Sequence, residues 1–190
     1  MERASGSGGW VCRRVRAAVL CAAVLLLLAG TAQSAPAAWI AFRHPTYGFS
    51  ISYPQGWEVL SGEGKAAFAA VGPAASGVAA VRLGVVVTTA RIPAGATLEE
   101  ADADLERTLA QRTDTVRVLR KDRIDVRGMP ALMIYVVRRN PQGLDLYQMV
   151  LIAAHNSRGY AIVGVTAAGS TSLSVETRLL QSLILTFQPQ

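Results

Sequence analysis

Two histidines, His44 and His155, come first, because imidazole serves both metal binding and proton transfer near neutral pH. A zinc site needs three or four protein ligands, some of them closely spaced. The only cysteines, Cys12 and Cys21, stand in the N-terminal stretch, so both histidines read as turn or surface residues and no metal is expected. "DADLE" (Asp102–Glu106) has the acid spacing of a calcium loop. Arg107, however, stands where that loop needs glycine, and Thr113 where it needs a bidentate glutamate. A nucleophilic serine would sit in a G-x-S-x-G elbow, and "GFSIS" (Gly48–Ser52) lacks the second glycine. "GEGKAA" (Gly62–Ala67) imitates a dinucleotide fingerprint, but Ala67 replaces the third glycine and no strand–turn–helix surrounds it. The acids concentrate on one helix rather than across a cleft, as glycosidic chemistry would require. The expectation is therefore no catalytic residue, no metal and no cofactor, with an enzyme whose polar groups converge only in three dimensions kept as the alternative.

Two groups of residues remain as binding candidates. Arg117, Arg120, Lys121, Arg123 and Arg127 form the densest basic run, with Arg138 and Arg139 on an expected neighbouring strand. They read either as an anion-binding patch or as a solvated sheet edge whose charge discourages edge-to-edge pairing. In "YGFSISYPQGW" (Tyr47–Trp57), Phe49, Ile51 and Tyr53 alternate with Ser50 and Ser52, the pattern of a half-buried strand, and the Pro-Gln-Gly turn folds Trp57 back. This aromatic corner reads as core, with Tyr47 and Trp57 available to edge a pocket.

The elements that must carry these residues follow from periodicity. Strands are expected at Trp39–Arg43, Phe49–Pro54, Trp57–Leu60, Phe68–Val71 and Val81–Ala90. Thr97 and Glu100 then make a T-x-x-E capping box that starts an amphipathic helix ending near Arg112. A meander follows through "VRVLRKDRIDV", "ALMIYVVRR", "LDLYQMVLIAA" and "YAIVGVTAA". The second of these is apolar on both faces, which implies cover on both sides of the sheet. "NPQG" (Asn140–Gly143) turns the hairpin between the second and third, and either of two loop lengths sets Arg138 opposite Asp145 on a shared face. A last helix is expected from Ser172 to Ser182, capped from Ser170–Ser172, with Leu173, Thr177, Leu180 and Leu183 or Ile184 along its buried stripe.

The N-terminus reads differently from the rest. Arg13, Arg14 and Arg16 precede the apolar "AAVLCAAVLLLLAG" (Ala17–Gly30) and the small residues Ala32 and Ser34, the layout of a secretory signal peptide. The domain scheme is thus a signal peptide at 1–34, cleaved or retained as a membrane anchor, a lead at 35–46, and one domain at 47–190. "LAGT" has the shape of a lipoprotein box but puts Thr31 where cysteine is required. Cleavage would remove both cysteines, so the exported part is expected to hold together without disulfides. It would also remove four arginines and one glutamate, lowering the net charge from +6 to +3. That mild excess does not identify a nucleic-acid binder.

"YGFSISYPQGW" also resembles the opening signature of the PsbP-like superfamily, an aromatic-Gly-Phe segment followed by Tyr-Pro and Trp. The Thr97-capped helix, "VRGMPA" (Val126–Ala131), the meander with "GYAIVGVTA" and the closing "SLILTF" (Ser182–Phe187) follow in the family's order, so the resemblance spans nearly all of the exported part. It implies an α+β fold, an α/β/α sandwich with a central antiparallel sheet of about six or seven strands and helices on both faces. It further implies a binding or assembly role rather than catalysis. The reading is a secreted accessory or binding module of the bacterial cell envelope. Its partner would be another envelope or secreted protein, with no nucleic acid and no membrane contact beyond a retained signal segment. A small-molecule or anion carrier is the alternative. The resemblance lies in core and turn positions and transfers no partner-contacting residue.

Overall fold

The computed structural model describes residues 38–60, 66–93, 95–103 and 116–190. The segment 1–34 expected as a signal peptide, most of "GEGKAA" and the expected continuation of the Thr97-capped helix to Arg112 lie outside the described residues. The fold is α+β and mostly antiparallel sheet. In chain order the strands are β1 (Trp39–His44), β2 (Phe49–Pro54), β3 (Glu58–Leu60), β4 (Phe68–Ala75) and β5 (Val78–Arg91). A helix, α1, follows over described residues 98–103. Then come β6 (Val116–Val126), β7 (Met129–Arg139), β8 (Asp145–His155), β9 (Arg158–Ala167), helix α2 (Leu173–Ile184) and β10 (Gln188–Pro189). Seven strands form one sheet in the order β3-β4-β5-β9-β8-β7-β6, and β1-β2-β10 form a second.

Tight turns make the meander, and residue chemistry selects them. Arg127–Gly128 and Asn156–Ser157 both take positive φ, the geometry of a two-residue hairpin turn that matches strand twist. Asp125 Oδ1 accepts the Gly128 N–H at 2.6 Å and braces the first of these turns. The hairpin at Asn140 departs from expectation by one residue. Gly143 takes φ +79° and joins the loop, so that Asn140 and Leu144 close it through Asn140 N–H to Leu144 O at 2.8 Å. Asn140 Oδ1 in turn accepts the Leu144 N–H at 2.8 Å. Asp145 therefore lies opposite Arg139, and Arg138 lies opposite Leu146. The ion pair expected from Arg138 is made by Arg139, and the Arg138–Asp145 pairing is corrected accordingly.

The register separates two faces of the large sheet. On the first, Met133, Met149, Ile162, Val85 and Phe68 pack with Leu180, Leu183 and Ile184 of α2 and with Phe49, Ile51 and Phe187. Gly164 lets α2 come close: a Cβ there would stand 3.0 Å from Ile184 Cδ1. The aromatic corner is core, as expected. Phe49 and Ile51 are buried, and Tyr53 and Trp57 pack against the same cluster. On the second face Leu132, Ile134 and Val136 are buried with Val150 and Ile152 beside them, so β7 is covered on both sides as its apolar run implied. The helix capping box forms as read: Thr97 N–H donates to Glu100 Oε2 at 3.0 Å, and Glu100 N–H donates to Thr97 Oγ1 at 3.3 Å. Helix α2 runs to Ile184, two residues past the expected end, and Ser172 makes no side-chain cap bond.

Candidate functional site

Among the described residues, two concave regions flank the sheet. The larger, about 740 Å³, lies between the segment 92–103 and the second face of β5, β9 and β8. Thr88, Ile92, Leu98, Ala101, Ile152 and Ala161 are among its walls. Of its polar residues, Thr97 and Glu100 spend their side chains on capping α1, Thr88 Oγ1 donates to Ala161 O at 3.4 Å and the Tyr160 hydroxyl donates to Tyr47 O. Thr89 also lines the groove, and the rest of the wall is mainly apolar.

The smaller, about 200 Å³, opens on the first face between the middle of α2 and strands β6–β8. Leu119, Arg120, Tyr135, Tyr147, Met149, Thr177 and Gln181 line it. A register shift between Val118 and Arg120 makes room for Leu119 as an extra residue in β6. Beyond it, Arg120 stands opposite Tyr135, with its guanidinium carbon 4.5 Å from the ring centroid. Burial pushes the Tyr147 phenol above its ordinary range, with Tyr135 adding to the effect and Arg120 opposing it. Tyr147 is thus a neutral O–H donor at any physiological pH.

The structure spreads the basic candidates over both faces. β6 is the edge strand of the large sheet. Arg120 is on the face of Tyr135, whereas Lys121 and Arg123 stand opposite Ile134 and Leu132 on the second face. Lys121 pairs with Asp102 and Arg123 with Glu99, each at 2.5 Å, which binds the first turns of α1 to the edge strand. Arg120 pairs with Asp122 at 2.6 Å, and Arg139 holds Asp145 through two hydrogen bonds of 2.9 and 3.3 Å. Arg138, next to Arg139 in β7, falls on the opposite face. Hence the seven bases do not form one patch, and of the candidates Arg120 alone borders the crevice.

Tyr47 and Trp57 border neither cavity. Tyr47 stacks on His44 at 4.5 Å with Arg158 5.1 Å from its ring, and its carbonyl accepts the Tyr160 hydroxyl at 3.1 Å. His44 Nδ1 accepts the N–H groups of Thr46 and Tyr47, so this histidine braces a turn. Trp57 lies flat on the bare backbone of Gly72, where a Cβ would stand 2.4 Å from the indole.

One polar centre was not foreseen. Glu176, in the first turn of α2, is only 6% exposed. Its carboxylate accepts the Ser76 N–H at 2.8 Å, the Thr166 hydroxyl at 2.5 Å and the Ser170 hydroxyl at 2.8 Å. Burial alone would raise its pKa, but the Ser76 backbone, Thr166 and Ser170 outweigh that and hold it below the usual carboxylate range. The signal was present in the sequence: three and four residues on from Leu173, Glu176 and Thr177 fall on the stripe that carries Leu180, Leu183 and Ile184.

No family model and no curated protein matches the chain. Solved structures do. Cyanobacterial PsbP (CyanoP) from Synechocystis sp. PCC 6803 superposes with a TM-score of 0.62 at 13% identity, covering 86% of this chain and 99% of that one. The chain has the PsbP-like fold. The Ran-binding protein Mog1p of Saccharomyces cerevisiae shares it at TM-score 0.55 and 12% identity, over 81% of this chain and 96% of Mog1p. LpqN of Mycobacterium tuberculosis, involved in cell envelope biogenesis, shares it at 0.52 and 12%, over 83% and 94%. The similarity expected from "YGFSISYPQGW" and the order of the later segments is thus found in three dimensions, at identities that establish the fold alone.

Proposed function

We propose that this protein is an exported, non-enzymatic accessory or binding module of the bacterial envelope, working through contact with another envelope or secreted protein. The observation that carries the reading is the wide groove between segment 92–103 and the sheet, walled mainly by apolar residues, with Thr97 and Glu100 committed to capping α1 and Thr88 bonded to the Ala161 carbonyl. Fold relatives that include a Ran-binding protein and a protein of envelope biogenesis support it. The residues 1–34 support export. Among the described residues no helix is long and apolar enough to cross a membrane. The full α/β/α sandwich belongs to the same proposal: the ion pairs from Glu99 and Asp102 to β6 favour α1 covering the second face opposite α2.

The test is affinity capture of the tagged, exported protein from envelope extract, with intact-mass measurement to show whether residues 1–34 remain. Reproducible recovery of one protein at near-stoichiometric yield is expected. Turnover of a metabolite with no protein recovered would overturn the reading. The size of the groove favours one second reading, a small-molecule carrier. Native mass spectrometry distinguishes it by a bound compound that survives purification.

A further inference from the structure

We propose that the crevice between α2 and β6–β8 is a binding site for a monocarboxylate carrying a small apolar body, with Arg120 as its anion anchor. Three features of the site carry this. The first is the guanidinium. Arg120 lies against the Tyr135 ring, is hydrogen-bonded to the Tyr135 side chain and uses Nη2 on Asp122; of the five N–H groups of its planar fork, the geometry that matches a carboxylate, further donors remain. The second is a pair of half-buried polar groups on the same crevice that bond to no other described residue and so are open to a ligand. Among the described residues the Tyr147 hydroxyl and the Gln181 amide make no hydrogen bond, and both line the space that Arg120 borders. The other polar side chains there are bonded: the Thr177 hydroxyl donates to Leu173 O at 2.8 Å, and Arg120 is hydrogen-bonded to the Tyr135 side chain and paired with Asp122. The third is the apolar remainder, Leu119 and Met149, which together with the phenol rings suits a hydrocarbon body.

Charge and size define the ligand class further. Asp122 already cancels most of the Arg120 charge, so a dianion such as phosphate would meet an acid beside a single base, whereas a monoanion can share the guanidinium. Thr177 has committed its proton and offers only lone pairs, which repel a carboxylate, so the acid group belongs at the Arg120 end and the apolar body towards Thr177. At about 200 Å³ the space takes a benzoate-sized group and not a larger cofactor. Such a carboxylate can come from a free organic acid or from the C-terminus of a partner chain, and the crevice chemistry is common to both. The inference rests on the reading that the protein works by binding, but not on the large groove being the contact surface.

The experiment is an NMR titration of the full exported protein with benzoate and with its neutral isostere benzamide. A parallel arm uses a short peptide ending in Phe, with a free or an amidated C-terminus. Benzoate should shift the signals of Tyr135, Tyr147 and the Gln181 side-chain amide saturably, and benzamide should bind about tenfold more weakly. Arg120→Gln should weaken benzoate by about tenfold, with Tyr147→Phe and Gln181→Ala each weakening it by about threefold. Unchanged spectra away from the crevice show that the variants are folded. Tighter binding of the free-ended peptide than of benzoate supports the site and assigns it to a protein terminus; preference for the free acid supports it and assigns a small molecule. Equal shifts from benzoate and benzamide, or none at Tyr147 and Gln181, overturn the inference even if affinity capture succeeds. Saturable benzoate binding without any captured protein leaves the crevice standing and removes the protein-partner reading.

Discussion

The molecule uses charge in two opposite ways. At the top of α2 a single buried carboxylate, Glu176, gathers one backbone N–H and two hydroxyls from the β4–β5 turn, β9 and the helix approach. Along the β6 edge, charges meet in exposed pairs, such as Arg123 with Glu99, whose side chains are 67% and 60% exposed. Distances are as short in the second region as in the first. The difference is solvent. Removing an acceptor from buried donors leaves them unpaired, whereas exposed partners return to water. The lesson is that short contacts alone do not rank interactions, and burial does. It also explains the division of labour: the Glu176 centre ties the β4–β5 turn, a hundred residues away, to β9 and the start of α2, while the edge charges keep a long strand from pairing with its like.

The largest test is Glu176→Ala. It strands the Ser76 N–H and the Thr166 hydroxyl in a buried site, and should cost about 3 kcal/mol in urea denaturation. Glu176→Gln keeps an acceptor but gives up the charge, so about half that loss is expected. Acid provides the same test without mutation. Because the folded pKa lies below the unfolded one, near 4.3, the stabilisation is complete above the unfolded value and disappears as pH falls through the folded value. Glu176→Gln should therefore flatten the acid limb of the stability profile. A cost for Glu176→Ala no greater than that of an edge variant would erase the contrast drawn above.

A site of intermediate exposure without formal charge sharpens the point that burial sets the cost. Trp57 rests on Gly72, and a Cβ at Gly72 would stand 2.4 and 2.7 Å from the indole carbons Cε2 and Cζ2. Gly72→Ala should cost about 2 kcal/mol, because the ring must leave the surface that joins the two parts of the core. In the Trp57→Ala background the same substitution should cost far less, since the clashing atoms are gone. Equal costs in the two backgrounds, read from urea midpoints, would mean that strand geometry is responsible instead, where the β4–β5 register shifts between Val71 and Ala74.

Legibility in the sequence followed the range of each interaction. The capping box of Thr97 and Glu100 is contained in four consecutive residues and formed as read. The meander and the doubly covered β7 were visible because period two and an unbroken apolar run are properties of a strand by itself. The Asn140 hairpin slipped by one residue because Gly143 could either pair or take positive φ, and only the closed loop decides between them. The basic run was legible as a sheet edge, which β6 is, but not as to which face each base takes, for a related reason. Neighbouring bases on a strand point to opposite faces, and the Leu119 irregularity resets which face each takes. Their acidic partners Glu99 and Asp102 come from a different element, so nothing local announces them. Glu176 stood in plain view on the helix stripe, but its meaning depends on Ser76, a hundred residues away.

The smallest effect belongs to Arg139 and Asp145, and it is informative for being small. The pair is bidentate, and the Arg139 hydrogen bonds, opposed by desolvation and aided by charge, hold the Asp145 carboxylate below its ordinary pKa. The side chains are nevertheless 60% and 45% exposed beside a turn, where water and salt compete for both partners. A double-mutant cycle of Arg139→Ala and Asp145→Ala should give a coupling that is a small fraction of the Glu176→Ala loss and that fades in molar salt. The turn itself is held by Asn140 Oδ1 on the Leu144 N–H, so the hairpin register should survive the double variant. A coupling comparable to the Glu176 loss and indifferent to salt would mean that the pair fixes the register, and that geometry rather than burial ranks the polar contacts of this fold.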